Sequence, residues 1–157
     1  MLRTPPIRAL ILDMDGVLWR DNEPIGNLPS IFAKIKAKNI QVILATNNAT
    51  RTPNQYVAKM AQFGVEIEPW RVINSANATA YRLKQAFPRG GPVFVIGEEG
   101  LLNALAAQGF SSAGIDQEPI AVIGGLDRHI TYDKLKRGTL LIRQGLPFYG
   151  TNPDRTF

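Results

Sequence analysis

Residues 7–19 constrain the fold of this chain more than any other segment. An apolar run, residues 9–12, ends abruptly at Asp13 and Asp15, and Gly16 follows them. A run this short and this rich in isoleucine and leucine is typical of a strand buried on both faces of a parallel sheet. Ligands of open α/β sheets bind at the carboxyl ends of such strands, so the two acids are candidate functional residues.

Asp13 and Asp15 point to the same side if the strand conformation persists through Met14. Two carboxylates that close repel each other, and Mg²⁺ suits a site of one or two carboxylates plus a phosphate. A carboxylate is also a nucleophile toward phosphorus, and a glycine such as Gly16 lets a backbone N–H approach an anion closely. The alternative is that the two acids merely end a strand and solvate a loop.

A second predicted strand, residues 40–45, ends in Thr46, Asn47 and Asn48. At the carboxyl end of a neighbouring strand, their hydroxyl, amide and backbone N–H groups would face the same crevice as Asp13. Such groups hold phosphoryl oxygens and stabilise the charge that develops on them. Threonine and asparagine are also common in strand-end turns, so the position of this motif is what makes it informative.

Both motifs resemble those of a known family. Asp-Met-Asp-Gly-Val after an apolar strand resembles the first motif of the haloacid dehalogenase (HAD) superfamily, and Thr-Asn-Asn followed by Arg51 and Thr52 resembles the second motif of its NagD-like, class IIA branch. The resemblance implies a Mg²⁺-dependent phosphomonoester hydrolase that works through an aspartyl phosphate. In it Asp13 is the nucleophile, Asp15 is the general acid and base, and both residues hold the metal.

The resemblance also implies the groups that bind substrate. Phosphate would be bound by Thr46, Asn47 and Gly16. The candidates for substrate specificity are Asn48, Arg51, Asn152 and Asp154, although the interpretation of Arg51 as a surface residue is favoured and residues 151–154 can equally form a plain turn. The implied substrates are small phosphorylated metabolites, such as nucleotides or sugar phosphates.

Helix signals place the remaining elements. Asn27 can cap a helix that has Pro29 in its first turn, and Thr52 begins a capping box that opens the next helix. A third strand is predicted at residues 71–74, followed by a helix from Asn74 or Ser75 to about residue 87. A Pro/Gly-rich segment follows, at residues 88–92.

Strands and helices alternate beyond that segment too. Strands are predicted at residues 93–96, 120–123 and 147–149, and helices at residues 98–108 and 131–144. The predicted fold class is therefore α/β. With the resemblance, residues 1–80 are assigned to the N-terminal half of a HAD-like Rossmannoid core with a parallel sheet, and residues 81–157 to an α/β C2-type cap domain that is incomplete at its C-terminus.

Composition excludes several classes of protein. Hydrophobic residues make up 45% and charged residues 20% of the 157 residues, which is typical of a globular chain. The absence of cysteine excludes a disulfide scaffold, thiol catalysis and cysteine-bound zinc, and the single histidine, His129, excludes a His-rich metal site. The net charge of +5 comes from scattered lysines and arginines, which does not favour a nucleic-acid partner. Without a membrane-length apolar run or a signal peptide, the chain is predicted to be cytoplasmic and not membrane-bound.

Two family motifs are not identifiable in the second half, namely a lysine and a later Gly-Asp pattern. Lys134 and Lys136 fall in an amphipathic helix and are interpreted as solvated charges, and Asp133 as an acid that stabilises the start of that helix rather than a metal ligand paired with Asp127. Weak Mg²⁺ binding and reduced or absent turnover are therefore expected. The strand at residues 7–12 would have an open edge, which predicts a homo-oligomer, strand exchange or marginal stability.

Two other functions remain compatible with the residues. A non-catalytic phosphate-binding or regulatory module would keep the anion site without turnover, as the unidentified lysine suggests. A receiver-type phosphoacceptor domain also has acids at strand ends, but its acceptor aspartate normally lies on a middle strand and not on the first.

Overall fold

The computed structural model describes residues 6–114 and 116–154. The chain divides into two compact units, one formed by residues up to Thr46 with Pro53–Ile73, the other by Asn47–Thr52 with the residues from Asn74 onward. The predicted domain boundary between residues 80 and 81 stays a prediction. Within the described ranges, no helix is both long and apolar enough to cross a membrane.

The first half of the chain builds a three-stranded sheet. Its elements are β1 (Ala9–Asp13), β2 (Trp19–Arg20), β3 (Glu23–Pro24), α1 (Leu28–Ala37), β4 (Gln41–Thr46), α2 (Pro53–Gln62), a short 3₁₀ helix (Pro69–Arg71) and β5 (Val72–Asn74). One sheet has the order β1-β4-β5, and β2 and β3 form a small antiparallel hairpin. β1 and β4 run parallel, with Ala9 opposite Gln41 and Asp13 opposite Ala45.

Local signals explain where α1 begins and ends. The Asn27 side chain accepts a hydrogen bond from the Ser30 N–H at 3.0 Å, and proline occupies the first turn, as predicted. Asn39 adopts a positive φ of 56° just past the helix, where asparagine is tolerated better than most residues. The first unit has its own buried apolar core: Met14, Leu18, Trp19, Leu28, Val42, Leu44, Tyr56, Met60, Val65 and Val72.

The prediction that the first strand is buried on both faces is wrong. Along β1, exposed residues alternate with half-buried ones, and Ile11 is 75% exposed. Leu12 packs against the core of the first unit, whereas Ile11 lies on the opposite face because successive side chains alternate. Among the described residues, β1 is hydrogen-bonded only to β4, so one edge and one face of the strand are uncovered.

The second half is an α/β unit, as predicted, and its sheet is parallel. Its elements are α3 (Ser75–Ala86), β6 (Gly91–Ile96), α4 (Glu99–Ala107), β7 (Phe110–Ser112), β8 (Val122–Gly124), α5 (Tyr132–Arg143) and β9 (Phe148–Gly150). The strand order is β7-β6-β8-β9, with every neighbouring pair parallel. Sequence analysis missed β7, in which only Phe110 is buried while two serines are exposed. The core of this unit includes Leu83, Val93, Leu101, Leu105 and Ile123.

Lys134, interpreted as a solvated charge, has a side chain that is 40% exposed and that also takes part in an ion pair. Thr131 caps α5 by accepting from the Lys134 N–H, and the Lys134 ammonium pairs with Asp127 at 2.7 Å. The Asp127 side chain is only 2% exposed, and it also accepts from the His129 N–H at 2.9 Å. Burial raises the pKa of Asp127, but the hydrogen bonds from Lys134 and His129 outweigh it and hold the pKa below the ordinary value. The His129 residue itself is exposed, as predicted.

Candidate active site

Asp13 is the last residue of β1 and lies at the carboxyl end of the strand, as predicted. It is exposed, and its Oδ1 accepts a hydrogen bond from the Met14 N–H at 2.9 Å. This bond within the chain holds one carboxylate oxygen and so orients the group. A carboxylate has a second oxygen, here Oδ2, whose lone pairs can contact a ligand.

The chain leaves the sheet immediately after Asp13, so Asp13 and Asp15 do not belong to one continuous strand. The Met14 carbonyl accepts from the N–H groups of residues 17–19, which folds the segment into a tight turn. Gly16 adopts φ +80° in that turn, a conformation that glycine accepts readily. The Gly16 N–H donates to the Trp19 carbonyl at 2.7 Å, so this structure does not present it to an anion.

Trp19 holds the Asp15 carboxylate in place. The indole Nε1–H donates to Asp15 Oδ1 at 2.7 Å, and the ring itself is 1% exposed. The ring stacks on Tyr56 with centroids 6.4 Å apart and lies 4.5 Å from the Lys59 ammonium. This role of Trp19 was not predicted from the sequence. The spacing could have indicated it, because an aromatic N–H donor follows the second acid by four residues.

Thr46 ends β4 beside Asp13, but on the alternate face of the sheet. Asp13 is opposite Ala45, so Thr46 lies one residue farther along the strand. Thr46 is 7% exposed and follows the buried side of β4, whereas Asp13 is exposed. A ligand that contacts both side chains must therefore lie beyond the carboxyl edge of the sheet, not against either face. Asp13 and Thr46 lie at the same carboxyl edge of the sheet. That they bind one phosphoryl group together stays a prediction.

The oxygen donors of this turn are suited to a hard cation. Mg²⁺ takes oxygen ligands and commonly keeps several waters beside one or two carboxylates. Asp13 Oδ2 and the Asp15 carbonyl oxygen are ligands of this kind, and they suit a Mg²⁺ ion that keeps part of its water shell. Among the described residues, no group of three or more histidine or acidic side chains is placed to hold a metal.

Three of the other predicted site residues come together in the second unit. The Asn47 side-chain amide donates to Asp154 Oδ2. The Asn152 amide donates to the Asn47 carbonyl at 3.3 Å and to Asp154 Oδ2 at 3.2 Å. This cluster joins the residue that follows β4 to the segment that follows β9.

Asn48 and Arg51 play local roles in the loop after β4. Asn48 Oδ1 accepts from the N–H and the hydroxyl of Thr50, at 3.0 and 2.7 Å, which closes a tight turn. Arg51 is exposed, and its backbone carbonyl accepts from Asn74. The structure therefore does not bring the Arg51 side chain together with the cluster of Asn47, Asn152 and Asp154.

A cavity of about 450 Å³ in the second unit borders that cluster. It lies where β6, β8 and β9 end, because Ile96, Gly124 and Gly150 all line it. Its apolar wall contains Leu126, Ile130, Leu135 and Phe148, and its polar side contains Asn47, Asn48, Asn152 and Asp154. A cavity at the carboxyl ends of parallel strands is a typical location for a ligand.

Comparison with known proteins places this geometry in a family. The sequence profile of the haloacid dehalogenase-like hydrolases matches residues 10–111. An acid sugar phosphatase of Staphylococcus saprophyticus is 35% identical over 147 residues, which cover 94% of this chain and 56% of that protein. The chain thus spans little more than half the length of this relative.

Solved structures agree with the sequence comparison. A hypothetical protein from Pyrococcus horikoshii matches with a TM-score of 0.88 and 37% identity, over 96% of this chain and 60% of that one. A 4-nitrophenylphosphatase from Thermotoga maritima matches with a TM-score of 0.85 and 30% identity, over 94% of this chain and 56% of that one. By sequence and by fold, the chain belongs to the haloacid dehalogenase-like hydrolase family, as a NagD-like member.

Proposed function

We propose that the chain forms the nucleophile-bearing part of a Mg²⁺-dependent phosphatase that hydrolyses phosphomonoesters of small metabolites. The observation that carries this proposal is the exposed Asp13 carboxylate at the carboxyl end of β1, beside the end of β4. The phosphatase names of the related proteins support it. The proposed organisation is a core domain in residues 1–80 and a C2-type cap domain in residues 81–157.

The chain's own acids account for both halves of the reaction. Asp13 attacks phosphorus through a carboxylate oxygen, and the bond between phosphorus and the ester oxygen breaks. Asp15 acts as the general acid and gives a proton to the departing alkoxide, so the first product leaves as an alcohol. Asp15 then takes a proton from water, which attacks the phosphorus of the aspartyl phosphate. Orthophosphate is released and the Asp13 carboxylate is restored.

The turn after β1 gives Asp15 a defined orientation for these proton transfers. The Trp19 indole N–H is hydrogen-bonded to Asp15 Oδ1, so Oδ2 is the oxygen proposed to transfer the proton. Bound Mg²⁺ would neutralise charge on the phosphoryl oxygens, and Asp13 with the Asp15 carbonyl would hold it. Its coordination would be completed by water and the substrate.

The remaining predicted residues are proposed to bind substrate. Thr46, Asn47 and Gly16 would contact the phosphoryl group, with Gly16 requiring its N–H to leave the Trp19 carbonyl. Asn48, Arg51, Asn152 and Asp154 would contribute to specificity. Amide and carboxylate groups hydrogen-bond well to hydroxyl groups, which favours a sugar phosphate over a substrate that carries additional negative charge. A homo-oligomer is part of the proposal, and the cytoplasmic location stays a prediction.

Hydrolysis of p-nitrophenyl phosphate by the 157-residue chain, with MgCl₂ present, tests the proposal. Asp13→Asn should abolish release of p-nitrophenol, whereas Asp133→Asn, the same change at an exposed acid of α5, should not. If turnover is too slow to follow, denaturing mass spectrometry after incubation with acetyl phosphate should show a phosphoryl group on the peptide containing Asp13. Equal activity in Asp13→Asn and the original chain would contradict the assignment of the nucleophile.

A non-catalytic phosphate-binding module is the second candidate. It is favoured because the lysine of the family pattern is not identifiable in these residues, which leaves an anion site without one of the groups that turnover needs. Binding of orthophosphate without p-nitrophenol release and without a phosphoryl adduct would decide for this candidate.

A further inference from the structure

The loop that connects β4 to α2, Asn47–Thr52, is held at both ends by the start of α3. The Ser75 hydroxyl donates to the Asn47 carbonyl at 2.6 Å, and the Asn74 side-chain amide donates to the Arg51 carbonyl at 2.7 Å. Asn74 is 2% exposed and Ser75 is 9% exposed, so the donor side of both bonds is shielded from water, whereas the accepting residues Asn47 and Arg51 are exposed. The cap residue and the first residue of α3 thus restrain two carbonyls that lie four positions apart in the loop.

The middle of the loop has support from α4. The Gly100 N–H donates to the Thr50 carbonyl at 3.2 Å. A Cβ at Gly100 would lie only 2.5 Å from the Ala49 carbonyl oxygen, so helix and loop backbones are in direct contact. With the turn closed by Asn48, the loop has little freedom to change its shape without breaking contacts with the second unit.

Asn74 combines two tasks through the two ends of its amide group. Its Oδ1 caps α3 by accepting from the Asn77 N–H at 2.8 Å, while its Nδ2 holds the Arg51 carbonyl. Aspartate caps a helix as well as asparagine does, but it has no hydrogen to donate. Aspartate also brings a negative charge close to the loop, which repels an anion, so the neutral change Ser75→Ala is needed beside it to isolate the effect of a lost hydrogen bond.

The restraint acts directly on Asn47. A peptide group is planar and trans, so a carbonyl that is held by Ser75 and by Asn152 fixes the peptide plane between Asn47 and Asn48. Because the Asn47 amide is tied to Asp154 as well, both the backbone and the side chain of the residue after Thr46 are oriented in advance. Groups oriented before a ligand arrives bind an anion without an ordering cost.

We propose that Asn74 and Ser75 are positioning residues that orient the Asn47–Thr52 loop for binding a phosphoryl group. This inference rests on the proposed phosphate-binding function of that loop. The ligand is a tetrahedral oxyanion, orthophosphate or the phosphoryl group of an ester. Neither residue touches the anion, and both act through the loop carbonyls.

Titration of the 157-residue chain with inorganic orthophosphate, with MgCl₂ present, tests the proposal by calorimetry. Asn74→Asp and Ser75→Ala should each raise the Kd for orthophosphate about five- to tenfold, the effect expected from losing one buried hydrogen bond. Ser75→Thr, which restores the hydroxyl, should return most of the affinity. Asn27→Asp is the matched control, because Asn27 caps α1 in the same way and should leave the Kd unchanged.

The thermal midpoint of each variant separates positioning from folding. If Asn74→Asp and Ser75→Ala remain folded and bind orthophosphate as tightly as the original chain, the positioning role is wrong. If affinity falls in Asn27→Asp by the same factor, the loss follows general stability and the proposal is again wrong. If the original chain binds no orthophosphate, the proposed function itself fails, and the inference fails with it.

Discussion

The indole nitrogen of Trp19 donates to Asp15 Oδ1 at 2.7 Å and ties the second acid of the turn to the core of the first unit. A buried aromatic ring that stacks on Tyr56 is difficult to move, so the carboxylate that depends on it is held as well. The turn after β1 is therefore an ordered part of the first unit. The position of Asp15 depends on a residue that takes no part in the proposed chemistry.

Trp19→Phe should show how much this hydrogen bond contributes. Phenylalanine keeps an aromatic ring in the core but cannot donate to Asp15, so we expect a loss of about 1–2 kcal/mol in the free energy of unfolding. Release of p-nitrophenol should slow in the same variant if Asp15 transfers the proton. Urea titration measures the first effect, and Trp70→Phe, at an indole that is 65% exposed, is the control. Equal stability of Trp19→Phe and Trp70→Phe would contradict the structural role.

The pair of Asp127 and Lys134 predicts a pH-dependent term in stability. The pKa of Asp127 is lower in the folded chain than its ordinary value, so the folded state favours the charged carboxylate. That contribution is present above the unfolded pKa of about 3.9 and is lost as the pH falls through the lower folded value. Asp127→Asn should therefore cost about 1–2 kcal/mol at pH 7, and the difference should disappear in acid.

Urea titrations of the original chain and of Asp127→Asn at a series of pH values measure this difference. Asp116→Asn serves as the control, since Asp116 is exposed in a turn outside the helices and its replacement should change stability little. A stability difference for Asp127→Asn that stays constant down to low pH would contradict the assignment.

Gly100→Ala should destabilise the chain although alanine favours helices. A Cβ at Gly100 would meet the Ala49 oxygen at 2.5 Å and the Thr50 carbonyl carbon at 2.7 Å, and backbone atoms cannot move aside cheaply. We expect a loss of about 1–3 kcal/mol in the free energy of unfolding, which urea titration measures. Gly114→Ala is the control, because its Cβ would lie 3.9 Å from its nearest neighbour. A Gly100→Ala variant as stable as this control would show that the contact with the loop is not tight.

The uncovered face of β1 predicts self-association. Ile11 is 75% exposed on a strand that, among the described residues, has one hydrogen-bonded neighbour. Ile11→Thr keeps a β-branched residue but removes apolar surface, so it should shift sedimentation velocity profiles toward the monomer. Ile142→Thr, on the 40% exposed isoleucine of α5, should leave the profile unchanged. A monomeric original chain at high concentration would contradict the prediction.

Local signals were sufficient to predict most of the fold. The cap at Asn27, the Thr131 cap of α5 and the short apolar runs at β1 and β4 act within a few residues, so their patterns are visible in one dimension. The short strand β7 was missed because two of its three residues are exposed serines with no apolar alternation. The α/β class and the family also followed from the sequence, and the comparisons confirmed both.

The amino-acid sequence by itself determined the class of fold and the placement of Asp13 and Thr46 at strand ends, because apolar runs and the acids that close them are local features. Only the tertiary structure decided that Thr46 lies one register step beyond Asp13 and that Asn74 and Ser75 hold the loop after β4. Those relations depend on strand register and on hydrogen bonds between residues up to 28 positions apart, which no local pattern encodes.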